Sequence, residues 1–483
     1  PEAPRVLGAA AAVLTGRAET ERATAAQLAA TARARAAARA RMAEVAAPAP
    51  ALTQRLGAAL DAVARRLGAS PPRAPAPPPP GGDEPLPGIV GGRPGPGMPR
   101  RVFFPRGSVV TTWTEPERRP RVPSDAIAAT RALVDAELTR RAARLDRFEV
   151  AVLDAALAGM PAPMRERAAS NQLAGWPRGG VHALPAGARL RLFLHWTEPD
   201  EATRVDLDLS CAFFDARWRR VGHCDYTHLR FAGDAAVHSG DLTSAPAPLG
   251  ATEFLDLDVE RLVAAGAQYA VPVVLSYNAV PFEALTDAFA GLMLPPAGGA
   301  HFDAAAVAQR FDLRGNARML LPMVVDLPAR RLLWTDLTLS GRGYGHSVGR
   351  HGDQLARAAA DQWEHFVGGR RTTLLDLLAW HAAGRADRIL VGHADGSWTE
   401  APADLAAIRA AAAVPSGGAR PDLAGRTVLA GALDPAALDR LVPHPVAPGS
   451  TALTVTGLAG DPWTPRRAGD LLGALGADPP PGP

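Results

Sequence analysis

From Arg189 onward the hydrophobic period of the chain drops to two. Leu190, Leu192, Leu194 and Trp196 alternate with Arg189, Arg191, Phe193 and His195, and Val205, Leu207, Leu209, Cys211 and Phe213 alternate with Asp206, Asp208 and Ser210. Successive side chains of an extended strand point to opposite faces, so this repeat describes strands with one face in a core. Further short β-type runs lie at 221–231, 254–259, 270–277, 319–325 and 332–339. Their regular spacing predicts antiparallel sheets packed as a β-sandwich over 187–340.

The flanks read differently. Residues 1–68 are rich in Ala and Arg, with no proline between Val6 and Pro48, which suits a helical segment with little apolar area to bury. The stretch 69–100 is dense in Pro and Gly, which fixes φ and removes backbone donors, so it is expected to be a disordered, extended linker. Over 101–186 a short strand (VFFPRGSVV) is followed by a helix from Ser124 to Arg141 and a second from Asp146 to Gly159. A Gly-rich loop and two helices, 354–366 and 374–383, fill 341–400, and 401–483 is a small α+β region with a Pro-rich disordered tail. The fold class is therefore α+β and multidomain: a central antiparallel β-sandwich, a helical N-terminal region and a small α/β C-terminal region. The opening at Pro1 rather than methionine leads us to expect a piece of a longer protein.

All 52 basic residues are arginine. Without a lysine ε-amine there is no Walker-type phosphate loop, Schiff base or pyridoxal lysine, and those enzyme classes drop out. The net charge of +3 comes from interleaved charges, so no continuous basic stripe supports nucleic-acid binding. Two cysteines, Cys211 and Cys224, are too few for a disulfide framework and point to a reducing cytosol. No segment has the apolar length of a transmembrane helix.

Two residues apart on one strand, Asp206 and Asp208 project together, as do Asp256 and Asp258. Neighbouring carboxylates repel unless a cation, a proton or donors lie between them. With Asp241 in the turn HSGDLTSAP and Glu253 in GATEF, oxygens gather at one sheet end, and calcium is bound by six to eight such donors. The alternative is a solvated acidic face. His223, Cys224, His228 and His238 invite a zinc reading, but adjacent strand residues face opposite ways, and packing Cys211 with Cys224 in the core is the simpler outcome. The loop 340–352 carries Arg342, Arg350 and a GxSxG pattern around Ser347. An enzyme built on this loop, either metal-assisted on an anionic small molecule or a serine hydrolase, is the alternative function. Ser239, beside His238 and Asp241, is a weaker nucleophile candidate.

The ordered runs VDLDLSCAFFD, HCDYTHLRF, VHSGDLTSAPAPLGATEFLDLDVERL and YAVPVVLSYNAVPFEALTDAFAGLM resemble the TerD family of tellurite-resistance and stress-response proteins. The resemblance covers about a third of the chain. It implies a β-sandwich with calcium-binding acidic loops, no known catalytic activity, and a cytoplasmic or membrane-peripheral stress role alongside protein partners. Asp206, Asp208, Asp241 and Glu253 are the metal residues it supports. Leu242, Ala251 and Thr252 stand where the family pattern has oxygen donors, so a weakened calcium site is expected. VFFPRGSVV, the helix around ALVDAEL and ARLRLFLHWTEP resemble a larger bacterial family in which such a domain is embedded among other regions. Some members of that family carry a RING-like zinc module, for which this chain lacks the cysteines.

Overall fold

The structure is a computed structural model, and it describes residues 89–90, 93–94, 100–103, 113–119, 122–162, 176–184, 187, 189–199, 204–285, 287–294, 307–315, 317–339, 348, 351–369, 371–415, 417–418, 421–457 and 459–476. The helical segment expected over 1–68, most of the 69–100 linker, and the loop at 340–347 with Ser347 lie outside the described residues. Among the described residues, three six-stranded sheets and seven α-helices make the chain mixed α+β.

In chain order, β1 (Ile89–Val90) pairs with β2 (Arg93–Pro94), and β3 (Arg100–Phe103) with β4 (Trp113–Pro116). Helix α1 (Ser124–Ala142) follows, close to its expected span. Expected as a second helix, 146–159 instead forms strand β5 (Phe148–Asp154) and a 3-10 turn (Ala155–Gly159).

The strands that carry the two-residue repeat come next. They are β6 (Val181–Ala183), β7 (Arg189–Thr197), β8 (Leu207–Phe214), β9 (Arg220–Cys224), β10 (Arg230–Phe231), β11 (Ala236–His238) and β12 (Ala251–Asp258). After the short helix α2 (Val259–Ala264) come β13 (Tyr269–Ser276), β14 (Asp287–Met293), β15 (Val307–Asp312), β16 (Met319–Asp326) and β17 (Arg331–Thr338). They form two antiparallel sheets, in the orders β10-β11-β12-β7-β14-β15 and β6-β17-β16-β13-β8-β9. One apolar cluster joins them: Leu190, Leu192, Leu194 and Trp196 of β7 and Leu255 and Leu257 of β12 meet Leu207, Leu209, Cys211 and Phe213 of β8 and Trp334 of β17.

The second sheet is buried on its other face as well. Helix α3 (Gly352–Val367) lays Leu355, Ala356, Ala359 and Phe366 on Ala212, Phe214, Val271, Val273, Leu321 and Leu333. A sheet covered on both sides needs apolar residues at nearly every position. That is why YAVPVVLS and MLLPMVVD show no alternation.

The third sheet draws on both ends of the described chain. After α4 (Leu374–Arg385) come β18 (Ala386–Gly392), β19 (Trp398–Ala401), α5 (Leu405–Ala413), β20 (Val428–Ala432), α6 (Pro435–Leu441), β21 (Thr451–Thr454), β22 (Thr464–Arg466) and α7 (Ala468–Gly476). Their order is β19-β18-β5-β20-β21-β22, with every pairing parallel except β19 on β18. Helices α4, α5 and α7 cover one face and α6 the other. This is a doubly wound arrangement, and β5 lies in its middle. Residues 101–186, 341–400 and 401–483, separate regions by sequence, thus contribute to one sheet or to the helices on it.

Candidate metal site

Strand β8 continues from Asp206 into Leu207, and its inward residues fix the others: with Leu207, Leu209 and Cys211 in the core, Asp208 must project from the opposite side. The turn after β11 brings Asp241 to the same place. Gly240 makes that turn at φ +128°, a conformation that glycine tolerates and other residues avoid. Asp206, Asp208 and Asp241 each offer a carboxylate oxygen, and these oxygens all lie within 4.8 Å of one another. Asp208 is buried, Asp206 half-buried and Asp241 exposed, so the group runs from the interior to the surface.

The carboxylates lack internal partners where it matters. Oδ1 of Asp206 and Oδ2 of Asp208 are buried without a hydrogen bond. Burial pushes Asp208 up to about 8, and the charges of Glu253, Asp206, Asp241 and Asp225 act in the same direction. Burial also raises Asp206, to about 6; the Asp241 charge adds to this and Arg204 opposes it. Crowded, partly desolvated carboxylates of this kind are stabilised by protons or by a cation.

Glu253 is placed beside the trio rather than within it. From the inner face of β12 its Oε2 accepts the Leu209 amide at 2.9 Å, and its Oε1 accepts the Leu242 amide at 3.0 Å. It thereby ties β8 of one sheet and the Asp241 turn to β12 of the other. His238 supports the same joint: the Gly240 amide donates to its Nδ1, and its Nε2–H faces the Leu209 carbonyl at 2.9 Å. Glu253 acts on the trio through its charge and by holding the turn.

The second acidic pair has structural work. Asp256 forms a two-pronged ion pair with Arg191 directly across the β7–β12 ladder, at 2.6 and 2.7 Å. Asp258 caps α2 by accepting the Arg261 amide. Ser239 accepts the Phe254 amide through its hydroxyl oxygen, an edge contact of the ladder.

Cys211 and Cys224 stand opposite each other in the β8–β9 register, and both are fully buried thiols in the core. The four-residue soft set therefore does not assemble, since Cys224 and His238 are committed elsewhere. Asp225, outside the residues that the sequence singles out, lies two residues after His223 and three before His228. A carboxylate-to-imidazole spacing that repeats a strand face and then closes a turn was the available signal. The structure brings His223, Asp225 and His228 together, with their ligand atoms also within 4.8 Å of one another.

No family model matches the chain, and no curated protein matches it. Among solved structures it is similar to SAV2460, a protein of unknown function, at 13% identity and a TM-score of 0.27, covering 35% of this chain and 96% of that one. It is also similar to SCO6318 from Streptomyces coelicolor A3(2), a homologue of the telluride resistance protein TerD, at 11% identity and a TM-score of 0.28, covering 35% of this chain and 97% of that one. At these scores neither likeness carries a structural argument. No helix among the described residues is long and apolar enough to cross a membrane.

Proposed function

We propose that the two sheets form a TerD-like β-sandwich that works as a non-enzymatic, divalent-cation-binding module of a stress-response protein. Calcium is the ion, with Asp206, Asp208 and Asp241 as its carboxylate ligands and Glu253 as the brace behind them. The single observation carrying this reading is the pair of buried carboxylate oxygens without partners, on Asp206 and Asp208, facing a third carboxylate within 4.8 Å. Buried polar atoms are nearly always satisfied, and a hard cation would satisfy both oxygens at once. Three carboxylates are few for calcium, so the affinity belongs near the weak end, roughly 10⁻⁴ to 10⁻³ M. The stress-response role, the protein partners and a cytoplasmic or membrane-peripheral setting rest on the motif resemblance alone.

Calorimetric titration of the full chain with calcium tests the reading. A saturable heat at one ion per chain is expected, lowered about tenfold or more in affinity by Asp206→Ala and again by Asp241→Ala. Equal and negligible heats from all three proteins would remove calcium from the account.

A further inference from the structure

We infer that His223, Asp225 and His228 form a second cation site, separate from the aspartate trio, that takes a divalent first-row transition ion on two imidazoles and one carboxylate. Asp225 is the anchor. It is fully buried, and its Oδ1 is saturated, accepting the Thr227 amide at 2.9 Å, the Thr227 hydroxyl at 2.7 Å and the His228 amide at 3.0 Å. Its other oxygen, Oδ2, has no hydrogen-bond partner and lies 3.8 Å from Nε2 of His223. A carboxylate with one oxygen pinned by three donors and the other left open is oriented, and it points toward an imidazole.

The turn that presents the second imidazole is tight. The Asp225 amide donates to the His228 carbonyl at 3.1 Å and the His228 amide returns to the Asp225 carbonyl at 3.0 Å, so both residues are held by the backbone. The two imidazole centroids are 4.7 Å apart at 66°, an edge-on placement rather than a stack. The Thr227 hydroxyl already donates to Asp225, so it accepts from the Nδ1–H of His228 at 2.8 Å. That contact leaves Nε2 of His228 with the free lone pair. Metal-bound imidazoles commonly donate their second nitrogen to a neighbour in this way.

Imidazole nitrogen favours zinc, cobalt, nickel and copper over calcium, which separates this site chemically from the oxygen-only trio. With three protein donors, a four-coordinate ion keeps one position open for water or a ligand.

The test uses the full chain without a histidine tag, stripped of metal by chelator and titrated with cobalt(II), whose visible absorption reports nitrogen and oxygen ligation. One equivalent is expected to bind and to be displaced by zinc but not by excess calcium. His228→Ala, at an exposed ring, is expected to weaken binding by about tenfold or more without moving the unfolding midpoint of the metal-free protein. His223→Gln, near-isosteric at a half-buried position, is expected to do the same. Asp206→Ala and Asp241→Ala are expected to leave cobalt affinity unchanged. Unchanged cobalt affinity in both histidine variants, or no uptake below about 1 mM, would overturn the site. Loss of cobalt binding in the aspartate variants with none in the histidine variants would overturn it too, by assigning the ion to the trio.

Discussion

Asp208 is the residue on which the chemistry of the sheet rim turns. Its folded-state pKa of about 8, and that of Asp206 at about 6, both stand above the ordinary carboxyl value of 3.8. In the window between those values the folded chain holds protons that the unfolded chain has already lost. Stability from these groups is then present at low pH and declines as pH rises toward 8. The metal-free protein is expected to melt at a lower temperature at pH 8 than at pH 5.5. Asp208→Asn keeps the shape without the charge; it should flatten that slope and raise the melting temperature at pH 8, by roughly 2–4 °C for each kcal/mol recovered. Calcium should stabilise the parent protein more at pH 8 than at pH 5.5, and scanning calorimetry at the two pH values reads both effects. An unchanged slope in Asp208→Asn would assign the titration to other groups. The two-residue spacing of Asp206 and Asp208 was legible in the sequence, as was the turn that carries Asp241. That Glu253 has both oxygens occupied by backbone amides was not, because those amides belong to residues 44 and 11 positions away.

Single elements explain where sequence pattern succeeds and where it fails. FEVAVLD of β5 is a short apolar run buried on both faces, and such a run has neither the alternation of a half-exposed strand nor a helical stripe. In sequence it looks helical, since Gly159 stands where a helix would stop. By contrast, β12 alternates buried and half-buried residues along its whole length, as its period of two requires. On that strand the Arg191–Asp256 pair crosses the ladder with Arg191 largely buried. Asp256→Ala would remove both prongs of that ion pair from a largely buried guanidinium, and a loss of about 1–3 kcal/mol is expected, smaller than for a fully buried pair because Asp256 is part-exposed. Urea unfolding measures it. A change below about 0.5 kcal/mol would mean that solvent takes over the role of Asp256.

At the scale of the molecule, the two-sheet unit and α3 interrupt an α/β unit. The Ala162 amide donates to the Thr372 carbonyl at 2.8 Å and the Leu374 amide to the Met160 carbonyl at 2.8 Å, so the chain leaves and re-enters the α/β unit at one point. The apolar clusters on the two faces of the parallel sheet include no residue between 163 and 371. The two clusters of the two-sheet unit draw only on residues inside that interval. Replacing 163–371 by a short Gly-Ser link is therefore expected to leave an α/β unit that unfolds cooperatively with helical circular dichroism. A chain ending at Leu339 is expected to lose that sheet, since β5 would keep none of its sheet neighbours. Non-cooperative melting of the first protein would show that the two units need each other.

Periodicity, turn residues and composition determined the existence of the paired antiparallel sheets, the place of the acidic turn and the absence of lysine chemistry, because each depends on neighbours within a few residues. Tertiary structure alone decided that β5 belongs with strands more than 200 residues later and that Glu253 braces rather than joins the aspartates. Those outcomes depend on which distant backbone amides and side chains are brought within hydrogen-bonding reach, and local sequence does not encode that distance.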